Sequence, residues 1–168
     1  MRKMTEENLK TAFAGESQAH MRYLIFASVA EDEGRPKLAR MFRAIAYAEQ
    51  VHATNHYRVL GSINDSAQNL KVCIDGENHE VDEMYPAYNA VAKLQGEKGA
   101  ERSTHFALEA EKIHAAWYTE ALQTVKADGD IKVGEIRICS VCGHTVEGEA
   151  PERCPVCGAP REKFRLIE

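Results

Sequence analysis

The stretch Ala48-Glu49-Gln50-Val51-His52 returns sixty-two residues later as Ala110-Glu111-Lys112-Ile113-His114. Each copy sets a carboxylate and an imidazole three residues apart, neighbours on one face of a helix. One Glu-x-x-His carries little information. Seven histidines and roughly one glutamate per eight residues yield about one such match by chance. Two copies inside long helical patterns carry far more, because two further helices also offer carboxylates.

Those helices are read from periodicity. From Thr5 to Glu33, Leu9, Phe13, Glu16, His20, Tyr23 and Ala27 recur every three or four residues, one inward stripe. Thr5 is the expected N-cap, and Gly34 and Pro36 separate this helix from the next. The second helix runs from Pro36 to Leu60 and stops at Gly61, with Leu38, Met41, Phe42, Ile45, Glu49, His52, Tyr57 and Leu60 inward. After a polar turn, Ser66 is the expected N-cap of a third helix over Ala67–Gln95, with Leu70, Cys73, Glu77, Glu80, Met84, Tyr88 and Val91 inward. Gly96 to Gly99 breaks the pattern, and a fourth helix spans Ala100–Ala127. Trp117 and the phenylalanines read as core, Cys73 as a small buried hydrophobe, and His20 as a packing or supporting residue. The predicted architecture is all-α: a four-helix bundle over residues 1–130, then a linker and a small metal-binding β module over 131–168.

The helices form a repeat. Gly15-Glu16 matches Gly76-Glu77, and Glu-x-x-His follows those glutamates after 33 and 34 residues. Tyr23 lies seven residues past Glu16, whereas Tyr85 lies eight past Glu77. One extra residue within a helix predicts a π-bulge, a feature that concentrates at functional sites.

Glu16, Glu49, His52, Glu77, Glu80, Glu111 and His114 are therefore the candidate ligands of a first metal site. Five carboxylates and two imidazoles in a bundle interior repel one another and lose hydration unless cations are present. Carboxylate-rich donors with some imidazole suit iron or manganese. Four-helix di-metal proteins use this set, a glutamate from each of two helices and Glu-x-x-His from the other two.

Four of the five cysteines form a second site, Cys139-Ser140-Val141-Cys142-Gly143 and Cys154-Pro155-Val156-Cys157-Gly158. Two Cys-x-x-Cys-Gly knuckles make a tetrathiolate centre. Zinc and iron both satisfy four thiolates, and spacing alone favours zinc. The net charge of −5 argues against nucleic acid or anionic membrane as the main partner. No apolar segment follows Met1-Arg2-Lys3-Met4 as in a signal peptide, and no run reaches the ~18 residues of a membrane span. A cytoplasmic location is expected.

The chain resembles the rubrerythrins over essentially its whole length. The resemblance rests on Ala14-Gly15-Glu16-Ser17-Gln18-Ala19, on Gly76-Glu77-Asn78-His79-Glu80 ahead of Met84-Tyr85-Pro86, on both Glu-x-x-His motifs, and on Cys154-Pro155-Val156-Cys157-Gly158-Ala159-Pro160. It implies a ferritin-like di-iron bundle followed by a rubredoxin-like domain, with iron rather than zinc on Cys139, Cys142, Cys154 and Cys157. It makes Glu49 and Glu111 the bridging carboxylates, Glu16 and Glu77 terminal ligands, and His114 a ligand of the second iron. Glu80 and His52 become alternating ligands of the first iron, with Tyr23 and Tyr85 beside the site. Glu80 and the two tyrosines are then the expected proton-handling, catalytic residues. The implied activity is reduction of hydrogen peroxide to water in oxidative-stress defence, with electrons entering through the rubredoxin-like centre from rubredoxin or an NAD(P)H-dependent reductase. The rival reading is a ferritin-like iron-oxidising or iron-binding protein with a structural tetrathiolate metal.

One expectation concerns connectivity. In a ferritin-like bundle the second and third helices run parallel, so their link spans the bundle. A 25-residue helix is about 38 Å long, whereas residues 61–66 extend only about 20 Å. Either the four helices run up-down-up-down within one chain, or helices three and four pack on helices one and two of a second chain; the helix-swapped homodimer is the favoured expectation. The expected electron path runs from one protomer's tetrathiolate centre to the other protomer's bundle.

Overall fold

In the computed structural model, which describes all residues from Met1 to Glu168, helical segments occupy most of the first 126 residues. These are α1 (Lys3–Asp32), α2 (Pro36–Val59), α3 (Ser66–His79), a π-helical turn (Glu80–Met84), α4 (Tyr85–Gln95) and α5 (Lys98–Lys126). β1 (Ile136–Cys139), β2 (Thr145–Glu147), a 3-10 turn (Arg161–Lys163) and β3 (Phe164–Ile167) follow. Because α3, the π turn and α4 are continuous, this is the expected set of four long helical runs and a small C-terminal sheet. No helix is long and apolar enough to cross a membrane. The chain divides into two units, Met1–Asn64 and Asp65–Glu168.

In the first unit α1 and α2 form a hairpin. Gly34, at φ +73°, takes the left-handed conformation that ends α1, and its amide donates to the Glu31 carbonyl at 2.8 Å. Pro36 occupies the first turn of α2, where its missing N–H costs nothing. The seam is made of small residues: Ala27, Ala30 and Ala39 are 1%, 2% and 0% exposed, with Leu38 and Phe42 packed on them. Ala46 and Ala53 continue the seam at seven-residue steps along α2. This corrects the expectation for Met41 and Ile45, which are 51% and 40% exposed, and for Phe26, at 41%. Alanines bring the two helix axes close, and the larger apolar side chains flank the contact instead of filling it.

In the second unit the third helical run packs along α5. Asn89 Nδ2 donates to the Glu101 carbonyl at 2.7 Å and to Thr104 Oγ1 at 2.9 Å. Tyr88 and Val91, expected inward, are exposed. Beyond α5 the three strands form an antiparallel sheet in the order β2-β1-β3. Ile136, Arg137 and Ile138 of β1 pair with Glu147, Val146 and Thr145 on one side, and with Ile167, Leu166 and Arg165 on the other.

The π turn lies where the repeat predicts an extra residue. Tyr23 to Glu49 and Tyr85 to Glu111 are both 26 residues, so the whole mismatch falls between Glu77 and Tyr85. In a regular α-helix seven residues bring a side chain back to within about 20° of the starting face, whereas eight leave it about 80° away. The wider turn at Glu80–Met84 absorbs the extra residue, and Tyr85 returns to the carboxylate face.

Two helix starts differ from the sequence expectation. α1 begins at Lys3, before Thr5, and has no side-chain cap. Its first turn is held instead by Lys10, which pairs with Glu6 at 2.7 Å and Glu7 at 3.3 Å. The third run is capped by Asp65 rather than Ser66: Asp65 Oδ1 accepts from the Gln68 amide at 2.8 Å. Asp65→Ala should therefore lower unfolding stability by about 1 kcal/mol in urea titration, and Ser66→Ala should change it little. The reverse order would contradict the assignment.

Candidate metal centres

The repeat places one cluster of donors in each unit. In the first, α1 supplies Glu16 while α2 supplies Glu49 and His52 from one face, their donor atoms all within 4.8 Å of one another. His52 Nδ1 lies 2.9 Å from Glu49 Oε2 and 4.0 Å from Glu16 Oε1. The His52 side chain is 55% exposed, and the Glu49 side chain only 16%. His20, one turn beyond Glu16, is not in the cluster; its Nδ1 bonds the Ala46 carbonyl at 2.8 Å and ties α1 to α2. Tyr23 sits in an aromatic group with Phe26 and Phe42, at centroid distances of 6.4 and 6.5 Å.

In the second unit the cluster is Glu77 from α3 with Glu111 and His114 from α5, again within 4.8 Å. His114 Nδ1 lies 2.6 Å from Glu111 Oε2. Glu77 Oε2 is buried with no hydrogen-bond partner, a polar atom that a cation held with Glu111 and His114 would satisfy. Burial, then a hydrogen bond to Glu111, then the charges of Glu111 and Glu80, raise the Glu77 carboxyl to about 7. Glu80, in the π turn, lies outside the three-residue cluster, although burial and the Glu111 charge also raise its carboxyl above the usual range. Tyr85 is held above the ordinary phenol range by burial and then by Glu80, Glu111 and Glu77. Tyr118 was not singled out by sequence. It is raised by burial and then by Cys73, Glu77 and Glu111. Its position, seven residues past Glu111, was the available signal.

These donor sets fit metal. A proton shared within a carboxylate–imidazole group occupies space where a divalent ion satisfies all three side chains at once. Among the cysteines the fit is geometric. Cys139 and Cys157 sulfurs are 3.7 Å apart, and those of Cys142 and Cys154 are 3.5 Å apart. Four thiolates at ~2.3 Å from a tetrahedral ion stand about 3.8 Å apart, whereas a disulfide requires ~2.05 Å. Burial raises the Cys142 thiol strongly. At Cys154 burial also acts upward, but amide hydrogen bonds from Cys157 and Val156 outweigh it and leave the thiol below its ordinary value. The knuckle amides thus favour thiolate. Cys73 is a half-buried free thiol, and His79 and His105 lie near Glu83 and Glu109 on exposed helix faces.

The module touches α5. Phe106 packs against the cysteine cluster, and Thr145, only 5% exposed, places Oγ1 2.9 Å from His114 Nε2. No sequence pattern marked Thr145.

Comparison with known proteins agrees with this geometry. The family model described as Rubrerythrin matches residues 7–122, and that described as Rubrerythrin, rubredoxin-like domain, matches residues 138–165. Rubrerythrin-2 of Clostridium acetobutylicum is 45% identical, covering 98% of this chain and 97% of that protein. Nigerythrin of Nitratidesulfovibrio vulgaris is 33% identical over 95% of this chain and 85% of its own length. A structure of fully reduced, all-ferrous nigerythrin superposes with a TM-score of 0.56 at 32% identity, covering 97% of this chain and 86% of that one.

The raised Glu77 carboxyl sets the sign of a pH effect. In metal-depleted protein the folded chain keeps this proton up to about pH 7, whereas the unfolded chain releases it near 4.5. The unfolded state then binds fewer protons than the folded one across that window, so stability should fall as pH rises from about 5 through 7. A bound divalent cation replaces the proton and should remove the slope. Urea midpoints across this range, with and without ferrous iron, test this; a metal-free midpoint that rises with pH contradicts it.

Proposed function

The chain belongs to the rubrerythrin family, and from that premise we propose that it is a di-iron peroxidase reducing hydrogen peroxide to water in oxidative-stress defence. The observation that carries the proposal is two Glu-x-x-His donor clusters on the same chain as a four-cysteine centre of tetrahedral spacing. Iron storage needs the first feature and has no use for a redox-active second one.

In this reading residues 1–130 form the di-iron domain and residues 131–168 the linker and rubredoxin-like domain. Glu49 and Glu111 would be the carboxylates shared by the two ions, with Glu16, Glu77, His114 and Glu80 or His52 as the remaining ligands. Iron bound there supplies Lewis acidity and the electrons that split the O–O bond. The balance is one peroxide, two protons and two electrons to two waters. Glu80, whose half-buried carboxyl holds a proton more firmly than a free glutamate, would deliver one. The raised phenols of Tyr85 and Tyr118 keep their protons in the same surroundings, and Tyr23 occupies the repeat-related position to Tyr85. Cys139, Cys142, Cys154 and Cys157 would hold an iron able to pass single electrons, supplied by rubredoxin or an NAD(P)H-dependent reductase in the cytoplasm.

Assembly follows from chain length. Six residues, Leu60 to Asp65, join α2 to α3 and extend only about 20 Å. In the family's parallel arrangement the third helix then packs on α1 and α2 of a second copy, and each di-iron site takes one donor cluster from each chain. The exposed Met21, Ile25, Met41 and Ile45 supply apolar surface for that exchange.

Two measurements test these statements. A visible spectrum under argon should show a red protein, bleached by reduction and recoloured within seconds by one equivalent of peroxide. A colourless protein, or a reduced one that peroxide leaves bleached, contradicts the peroxidase reading. Sedimentation should give a dimer as the smallest active species, and a folded, active monomer overturns the exchange.

A further inference from the structure

We propose that Thr145 is a positioning residue for His114, and that through it the four-cysteine module serves the donor cluster of its own chain. The inference rests on the di-iron reading above. It starts from hydrogen-bond direction. Thr145 Oγ1 stands 3.1 Å from the Gly143 carbonyl, to which it can donate, and 2.9 Å from His114 Nε2, from which it can then accept. With a metal ion bound, Nδ1 gives it the lone pair in place of the present 2.6 Å hydrogen bond with Glu111 Oε2, and the proton resides on Nε2, where the Thr145 hydroxyl accepts it. That is the tautomer a metal-binding imidazole requires, and it is set here by a hydroxyl from outside the helices.

The contact is built along one side of α5. Phe106, Ala110 and His114 follow at four-residue steps and meet the module in turn. Phe106 packs on the cysteine cluster. Ala110, 4% exposed, lies opposite Gly143, where a Cβ would come to 3.9 Å from the alanine methyl. Gly143 also sits at φ +80°, a conformation that only glycine takes without strain. Thr145 then reaches His114. This contact within one chain stands beside the expected route between protomers.

The route from a cysteine ligand to the imidazole is short: Cys142, the adjoining Gly143 carbonyl, the Thr145 hydroxyl, then His114 Nε2. Each passage along it oxidises one ferrous tetrathiolate centre to ferric and delivers one electron. Two passages serve one peroxide, and the NAD(P)H-linked donor restores the ferrous centre.

Thr145→Val keeps the shape and removes the hydroxyl, whereas Thr145→Ser keeps the hydroxyl. In the full chain loaded with zinc, which is diamagnetic, nitrogen-15 NMR should show a slowly exchanging His114 Nε2 proton in the parent and in Thr145→Ser. Exchange should be at least tenfold faster in Thr145→Val. Equal exchange in all three overturns the positioning role. For the same-chain route, iron-loaded Cys142→Ser chains are mixed with His114→Ala chains, so that no chain holds both an intact module and an intact cluster. Peroxide should recolour the mixture at least tenfold more slowly than the parent, and recolouring at the parent rate overturns the route. A parent that peroxide never recolours would sink the peroxidase reading while leaving the NMR result standing.

Discussion

Burying carboxylates against one another is the constraint around which this molecule is arranged. Glu77 and Glu111 lie close enough to share a proton, and Glu77 keeps it to about pH 7 because burial and neighbouring charge both oppose ionisation. Such a group destabilises a fold near neutrality unless a cation resolves it. The consequences run outward from there. Helices must be long enough to carry donors at matched heights, and helix pairs must be close enough for donors from two helices to meet. The alanine seam of α1 and α2 is one local solution, because it brings Glu16 to Glu49 and His52 without a layer of large side chains between them.

Duplication explains how such an arrangement is specified twice. The same step from tyrosine to Glu-x-x-His appears in both halves, and the single added residue is confined to the π turn. That insertion preserves the face on which Tyr85 sits and places Glu80 at a helical irregularity beside the cluster. The two halves are thus equivalent in their three core donors and different in their fourth.

Much of this was legible because the relevant signals are periodic or paired. Helix spans follow from three- and four-residue recurrence, glycine and proline marked the breaks, and donor chemistry with fixed spacing marked both metal centres. The π turn was legible because the repeat supplied an internal ruler. Other features depend on choices that a period does not encode. Asp65 and Ser66 are both competent caps, and one residue of offset decides between them. A helical stripe says which face is apolar, but not that Ala39 rather than Met41 meets the neighbouring helix. Thr145 matters only through a tertiary contact between segments distant in the chain, where no local pattern distinguishes it.

The family membership, the donor clusters and the cysteine tetrahedron converge on one statement about composition: each chain carries a di-iron pair and a separate tetrathiolate iron. Mössbauer spectroscopy of protein loaded with iron-57 reads that statement directly. The oxidised protein should show a coupled diferric component and a high-spin ferric tetrathiolate component in a ratio of roughly two to one. A tetrathiolate component alone, or a carboxylate component without it, would contradict the shared architecture on which the account stands.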